Sequence, residues 1–472
     1  MRICLILEGS YPYVSGGVSS WMHNYIKAMP EQEFVLWLVS ASYEKQKQFC
    51  YNIPSNVVEV NEIFLGDALK LATPKRRKVS FDQLEKKAVY ELMSCRNPDW
   101  NIIFRIFQED KINPITFLMS EEFLNCLDIL CQTDYKNADY AKCFYTIRSM
   151  LLPLLYLLGQ EVPRADVYHA TCAGYAGLLG AMGAWKYECP FVLTEHGIYT
   201  REREEELLRA EWVDPAFRKM WIKLFYMLSH LAYDHAASVT SLFSQALETQ
   251  VELGCSRKKC RVISNGIHLE QYLDIAPKKE NGFIDIGAIV RIARIKDIKT
   301  MLYSFYELNI RIPETRLHIL GGVNDQGYMD QCAELLKEMG IQNVFFTGIV
   351  DVRKYMEKLD FTILTSISEG QPLSVIESLA AGRPCVATDV GCCRELLEDP
   401  GDELGSAGIC VLPMHRMEFA DAMEFMCLNK NARLQMGAAG KARAAQTFQH
   451  DTMIQKYTEV YYEVSRYGRN RI

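Results

Sequence analysis

"RICLILEGSYPYVSGGVSSWMHNYIKAMPEQEFVLWLVS", Arg2–Ser40, sets the reading of the fold. "RICLIL" is a continuous apolar run of strand length. In "GGVSSWMHNYIKAMP", Val18, Trp21, Met22, Tyr25, Ile26 and Met29 recur at the spacing of one helix face. "FVLWLVS" is a second strand run. Strand, helix, strand opens a parallel α/β sheet, because parallel neighbours need a crossover that a helix supplies.

The same grammar continues outward. "ADVYHAT", "PFVLTEH" and "ASVTSLF" read as further strands of this unit, and "CRVISNGI" closes it. Between about residues 65 and 159 the pattern turns helical, as in "FDQLEKKAVYELMS" and "YAKCFYTIRSMLLPLLYLL", which predicts a helical insertion. "REREEELLRAEWVDPAFRKMWIKLFYMLSHLAYDHA" is a second helical stretch. "LDIAPKKENGFI", Leu273–Ile284, carries Pro, Lys and Gly between two alternating units and is the expected linker. Beyond it, "DIGAIVRI", "RLHILGG", "VFFTG", "FTILTS", "PCVATDV" and "GICVLP" are strands separated by helices, and "HDTMIQKYTEVYYEVSRYG" is a last helix. The expected organisation is a unit over 1–272, a second over 281–445, and a terminal helix at 446–472. Two doubly wound units would face a cleft, the default place for a ligand at the carboxyl ends of the strands.

Bulk properties narrow the function. With 472 residues, two or three domains are expected at roughly 100–200 residues each. A formal charge of -7 gives no general attraction to nucleic acid or anionic lipid. "TPKRRKVS", Thr73 to Ser80, is a local basic run whose ordinary reading is a solvated loop. The apolar run "MLLPLLYLLG" is shorter than the ~18–20 residues of a membrane span, and "MRICLILEG" reads as a buried strand rather than a leader. The 16 Cys form no C-x-x-C and lie within strand-like and helix-like runs, as small buried residues do in a reducing compartment. A cytoplasmic protein is expected. No D-x-D occurs, which weakens a mechanism that holds a divalent cation on a diphosphate.

The chemistry-bearing residues fall at strand ends. In "EGQPLSVIE", Glu369 follows the strand run "FTILTS" and Glu377 lies on the helix run "SVIESLAAG". Between them, free N–H groups at the helix start form an anion site. A loop carboxylate, backbone amides and a helix carboxylate match the needs of a nucleotide sugar; a capped helix with surface glutamates would give the same letters. Gly16-Gly17 let the backbone approach a phosphate or sugar, although the spacing is not that of a dinucleotide fingerprint. Arg291 and Lys296 in "VRIARIKDIK" could neutralise a departing diphosphate or simply be solvated. His196 in "LTEHG" and His169 in "VYHAT" could face a site, but each alone reads more simply as a satisfied structural histidine. Tyr11 and Tyr13 could line a site or pack.

Taken jointly, these motifs resemble the retaining glycosyltransferases of family 4, which have the two-domain GT-B fold. The E-x7-E element corresponds to Glu369 and Glu377, the glycine pair to Gly16-Gly17, the cations to Arg291 and Lys296, and the "NG" element to Asn265-Gly266. His268 stands where that family usually has an acid, so no role is carried to it. "ICLILEGSYPYVSGGVSSW" and "LTEHGIYTRERE" are similar to the PelF-type branch, cytoplasmic transferases of exopolysaccharide assembly.

The resemblance implies a UDP-sugar donor, UDP-glucose foremost, and no cofactor or catalytic metal. It implies that Glu369 bonds the donor-sugar hydroxyls, Glu377 the ribose, and Arg291 and Lys296 the diphosphate, with the amides of Leu373 and Ser374 and the Gly370 loop beside them. Gly17 would pack against phosphate or acceptor, with Gly16 in the same turn. His196 would contact the donor hexose, and Ile349 the base through its backbone. The implied partners are a polysaccharide acceptor and a membrane synthase complex at the inner face of the membrane. Rival readings on the same scaffold are a sugar-nucleotide epimerase, a starch- or glycogen-type synthase, and a non-catalytic nucleotide-binding subunit. A glycoside hydrolase needs two carboxyls flanking one bond, which suits a loop-plus-helix pair less well.

Overall fold

The computed structural model describes every residue except 10, 15, 42–48, 73–78, 399–400 and 470–472. Most of the basic run at 73–80 therefore lies outside the described residues. The chain forms two compact units, Met1–Ser241 with Ala246–Val262 and Tyr457–Ile472, and Leu242–Gln245 with Ile263–Lys456.

The first unit is built on a seven-stranded sheet among the described residues: β1 (Arg2–Glu8), β2 (Glu33–Ser40), β3 (Val57–Phe64), β4 (Val167–Ala170), β5 (Phe191–Glu195), β6 (Ser238–Ser241) and β7 (Cys260–Val262). The order is β3-β2-β1-β4-β5-β6-β7 and every pairing is parallel. Ile3–Leu7 are buried, as a parallel strand covered on both faces requires. The sequence reading missed β3. Its "VVEVNEIF" is an edge strand whose Glu59, Asn61 and Glu62 break the apolar run.

Helices fill the chain between β3 and β4, among them Gln83–Met93, Glu121–Thr133 and Tyr140–Leu158. Asp82 and Glu85 close a reciprocal capping box, and Ser120 and Asp139 cap the other two. These helices are a wall of the unit rather than an appendage: Phe104, Phe117, Phe123 and Leu127 share one hydrophobic cluster with Leu179 and Phe191 under the sheet. One expectation is corrected here. The helix around "MLLPLLYLLG" extends to 19 residues, Tyr140–Leu158, because its apolar face continues N-terminally through Cys143 and Ile147. By length and composition it could span a bilayer; Ile147, Met150, Leu151, Leu154, Leu155 and Leu158 are instead buried in this unit's core.

The second unit repeats the plan with six strands among the described residues: β8 (Ile284–Ile289), β9 (Thr315–Leu320), β10 (Val344–Gly348), β11 (Phe361–Leu364), β12 (Cys385–Thr388) and β13 (Gly408–Val411). The order is β10-β9-β8-β11-β12-β13, all parallel. The chain passes into this unit at Val262–Ile263, ahead of the expected linker. Leu273–Ile284 is held within it because Lys278, nearly buried, pairs with Asp285 and Asp360 at 2.6 Å each. The last helix, His450–Arg469, contributes residues from Tyr457 onward to the first unit. In both sheets the winding reverses beside the first strand, between β1 and β4 and between β8 and β11. Ligands of open α/β sheets bind at such reversals, outside the carboxyl ends of the strands.

Candidate functional site

In the second unit, the residues picked from sequence gather at the β8–β11 reversal. Lys296 ends a short turn after β8, and Glu369 sits in the loop after β11. They form an ion pair, and Ser366 Oγ donates to the same Glu369 oxygen at 2.6 Å. Thr365 Oγ1 donates to the carbonyls of Lys296 and Asp297 at 3.0 and 3.1 Å, so the end of β11 fixes the lysine turn. Asp297 then caps the helix Ile298–Arg311 through Thr300 N–H. The lysine turn is thus held by the Thr365 hydroxyl and the Glu369 carboxylate by the Ser366 hydroxyl, and both side chains of the pair are mostly buried, at 18% and 12% exposure. Arg291 is exposed, and no hydrogen bond or ion pair among the described residues occupies its guanidinium.

The loop beyond Glu369 is positioned from behind. Gly391, at φ +56°, lies where a Cβ would meet the carbonyl oxygens of Glu369 and Gly370 at 2.3 Å, and Cys392 N–H donates to Gly370 O at 3.0 Å. Sequence reading gave no sign of this support. The helix Leu373–Ala380 begins at Pro372 with no side-chain cap, so the first-turn amides of Leu373 and Ser374 are not capped by a side chain. Glu377, on its second turn, is hydrogen-bonded by the Tyr272 hydroxyl; burial pushes its carboxyl up to about 7, and the Tyr272 bond pulls in the opposite direction.

Beside this cluster, Val290, Arg291, Leu320, Gly321, Ile349 and Val352 line an apolar cavity of about 210 Å³ at the ends of β8 to β10. Ile349 is 88% exposed there. Asn265 N–H donates to Gln371 Oε1 at 2.6 Å, and a Cβ at Gly266 would strike the Gln449 carbonyl at 2.6 Å, so the "NG" pair is held by packing inside this unit.

In the first unit, His196 follows β5 and lies edge-on to Trp21 at 4.6 Å. Its Nε2 has no hydrogen-bond partner among the described residues, and burial lowers its pKa to about 4, so the ring is neutral at physiological pH. It lines a cavity of about 310 Å³ together with Glu8, Cys172, Tyr199, Glu202 and Arg203. Of these, only His196 is given a role from sequence; Glu8, Tyr199, Glu202 and Arg203 lie within the two stretches quoted for the resemblance, with no role of their own. Gly16 and Gly17 open the helix Gly17–Lys27, and a Cβ at either would meet nothing within 4 Å, so no packing contact demands glycine there.

The other aromatic candidates are structural. His169 is fully buried and bonded at both nitrogens, to Tyr461 OH at 2.6 Å and Thr194 Oγ1 at 2.7 Å. Tyr11 and Tyr13 are buried. Burial lowers the His169 pKa from 6.5 to about 3. A lowered folded-state pKa means that protonation favours the unfolded chain. The stabilisation is complete above the unfolded value near 6.5 and is lost as pH falls toward 3. Chemical denaturation at pH 7 and pH 4 should show a loss on the order of 3 kcal/mol from this residue. His169→Gln should flatten that slope, and an unchanged slope would remove His169 as its source.

Comparison with known proteins bears on the family and the fold. The family model "Domain of unknown function (DUF3492)" matches residues 1–258, more than half of the chain, and "Glycosyl transferases group 1" matches residues 283–429. The MMP alpha-(1->4)-mannosyltransferase of Mycolicibacterium hassiacum is 21% identical over 63% of this chain and 70% of its own length. Anabaena HepE, solved with UDP and glucose, superposes with a TM-score of 0.59 at 15% identity, covering 97% of this chain and 99% of that one. The sucrose-phosphate synthase of Thermosynechococcus elongatus superposes at 0.61 and 14% identity over 98% and 99%. At these identities the two structures speak for the fold.

Proposed function

We propose that this chain, which belongs to the DUF3492 family and is a glycosyltransferase of the GT-B fold, moves a hexose or N-acetylhexosamine from a UDP-sugar, UDP-glucose foremost, to a growing exopolysaccharide of the Pel type. The observation that carries the donor assignment is the β8–β11 reversal, where Arg291, Lys296, Glu369 and an uncapped helix start converge. In this reading, Glu369 accepts bonds from the sugar hydroxyls. Arg291, Lys296 and the amides of Leu373 and Ser374 receive the diphosphate. Glu377 accepts from the ribose, and the base lies over the apolar cavity by Ile349. His196, neutral, contacts the hexose. The bond from the anomeric carbon to the phosphate oxygen breaks while the acceptor oxygen bonds the same face. The acceptor's proton passes to the departing phosphate, and UDP leaves. No side chain serves as a covalent nucleophile. Two cations supply the charge that a divalent metal would otherwise bring, so the reaction is assigned no metal. Export of the product assigns the protein to a membrane synthase complex on the cytoplasmic side.

Isothermal titration tests this. UDP should bind, GDP and ADP should bind at least roughly tenfold more weakly, and EDTA should change nothing. From pH 8 to pH 6, UDP affinity should fall roughly three- to tenfold, because Glu377 takes up a proton near pH 7 and becomes a weaker acceptor for ribose hydroxyls. Absence of UDP binding would sink the reading.

A further inference from the structure

We propose that Glu8 is an acceptor-recognition residue, and that the pocket around it takes a neutral, polyhydroxylated sugar ring and disfavours acidic ones. This rests on the reading of the chain as a sugar transferase. Glu8 is the last residue of β1, at the winding reversal of the first sheet. Thr171 and Cys172 follow β4, on the other side of that reversal, and His196 and Tyr199 follow β5. All five line the same cavity of about 310 Å³, the small end of the range for ligand pockets.

The Glu8 carboxylate is oriented but not saturated. Tyr199 OH donates to its Oε1 at 3.2 Å, a long contact, and the Cys172 thiol, a weak donor, to its Oε2 at 3.4 Å. A carboxylate has about four acceptor positions, so room remains for two hydroxyls. Tyr199 is held in turn: its N–H donates to Glu195, which also accepts from Tyr233 at 2.8 Å and Gln250 at 2.9 Å. A Cβ on Gly174 would fall 2.1 Å from the Tyr199 ring, so that glycine is required for the ring to stand where it does.

The charges around the cavity decide what it accepts. Glu202 forms part of the wall, pressed against Gly197. Among the described residues Arg203 is the one cation in the lining, and its guanidinium donates to Glu206 at 2.6 Å while lying over the Tyr199 ring at 5.2 Å. His196 is neutral. The described lining therefore carries two carboxylates against one guanidinium, which also pairs with Glu206 and whose buried Nε has no hydrogen-bond partner among the described residues, so negative charge predominates. Such a site receives hydroxyl donors and repels carboxylates or phosphates. Val18 and the Tyr199 ring add the apolar surface on which a sugar face can rest.

The test measures saccharide binding by saturation-transfer NMR on the full-length enzyme. One probe is a pool of neutral gluco- and galacto-oligosaccharides, the other a pool of oligogalacturonates of matched length. The wild type should bind the neutral pool roughly tenfold better than the acidic pool. Glu8→Gln should narrow that gap to roughly threefold or less, and so should Glu202→Gln on the opposing wall, which keeps the test decisive if one variant fails a thermal-unfolding check. Equal binding of the two pools by the wild type, no binding of either, or an unaltered gap in both variants would overturn the proposal. UDP titration on the same samples separates the two ideas. A wild type that discriminates between the saccharides but ignores UDP would refute the donor assignment and leave the pocket standing.

Discussion

Lys296→Ala is expected to lower kcat/KM for sugar transfer by roughly 10²–10³, the size of effect seen when one preorganised charge is taken from a developing anion. In the proposed reaction Lys296 serves the leaving diphosphate from a position set before any substrate arrives. Thr365 fixes the turn that carries it, and Glu369 holds its ammonium group. Truncation removes the charge and leaves Glu369 half-satisfied by Ser366. The fold should therefore lose about 1–3 kcal/mol, less than most domains can tolerate losing. Steady-state kinetics with UDP-glucose beside a thermal melt separates the two effects. A variant that melts normally and turns over at the wild-type rate would remove Lys296 from the mechanism.

Glu369→Ala should reduce transfer by roughly 10² or more while the fold survives. The direction of its effect on UDP itself differs from that of Lys296→Ala. Without Glu369, the Lys296 ammonium has no partner to leave, so UDP affinity should hold or rise even as transfer collapses. The two substitutions should also be strongly non-additive, because each removes the partner of the other. A double variant whose loss equals the product of the single losses would show that the ion pair has no bearing on catalysis. Unchanged turnover in Glu369→Ala alone would take that residue out of the site.

Much of this was legible in the residues, and the exceptions have physical causes. Among the described residues, twelve of the thirteen strands lie in apolar runs that parallel sheets covered by helices must have; β3 escaped because an edge strand can carry Glu59 and Glu62. The insertion helices announce themselves through Asp82, Ser120 and Asp139 at their caps. The expected linker, placed where Pro, Lys and Gly fall between two alternating units, lies inside the second unit, where Lys278 is drawn inward by two aspartates 7 and 82 residues away. Local composition cannot report a partner that distant in the chain.

The sequence by itself determined the two doubly wound units and the short list of groups at their strand ends, because periodicity and turn chemistry are local properties of the chain. The tertiary structure alone decided which of those groups meet. It joined Lys296 to Glu369 across 73 residues, set Gly391 behind the Glu369 loop, and raised Glu377 by burial. It also separated two histidines that look alike in sequence: His169, saturated by Thr194 and Tyr461, became core, while His196, with a free nitrogen, became the wall of a pocket. Glu8 gained its place in the same way, since only the β1–β4 reversal brings Cys172 and Tyr199 to its carboxylate. Burial, ion pairing and hydrogen-bond saturation depend on residues far apart in the chain, and folding is what brings them within reach of one another.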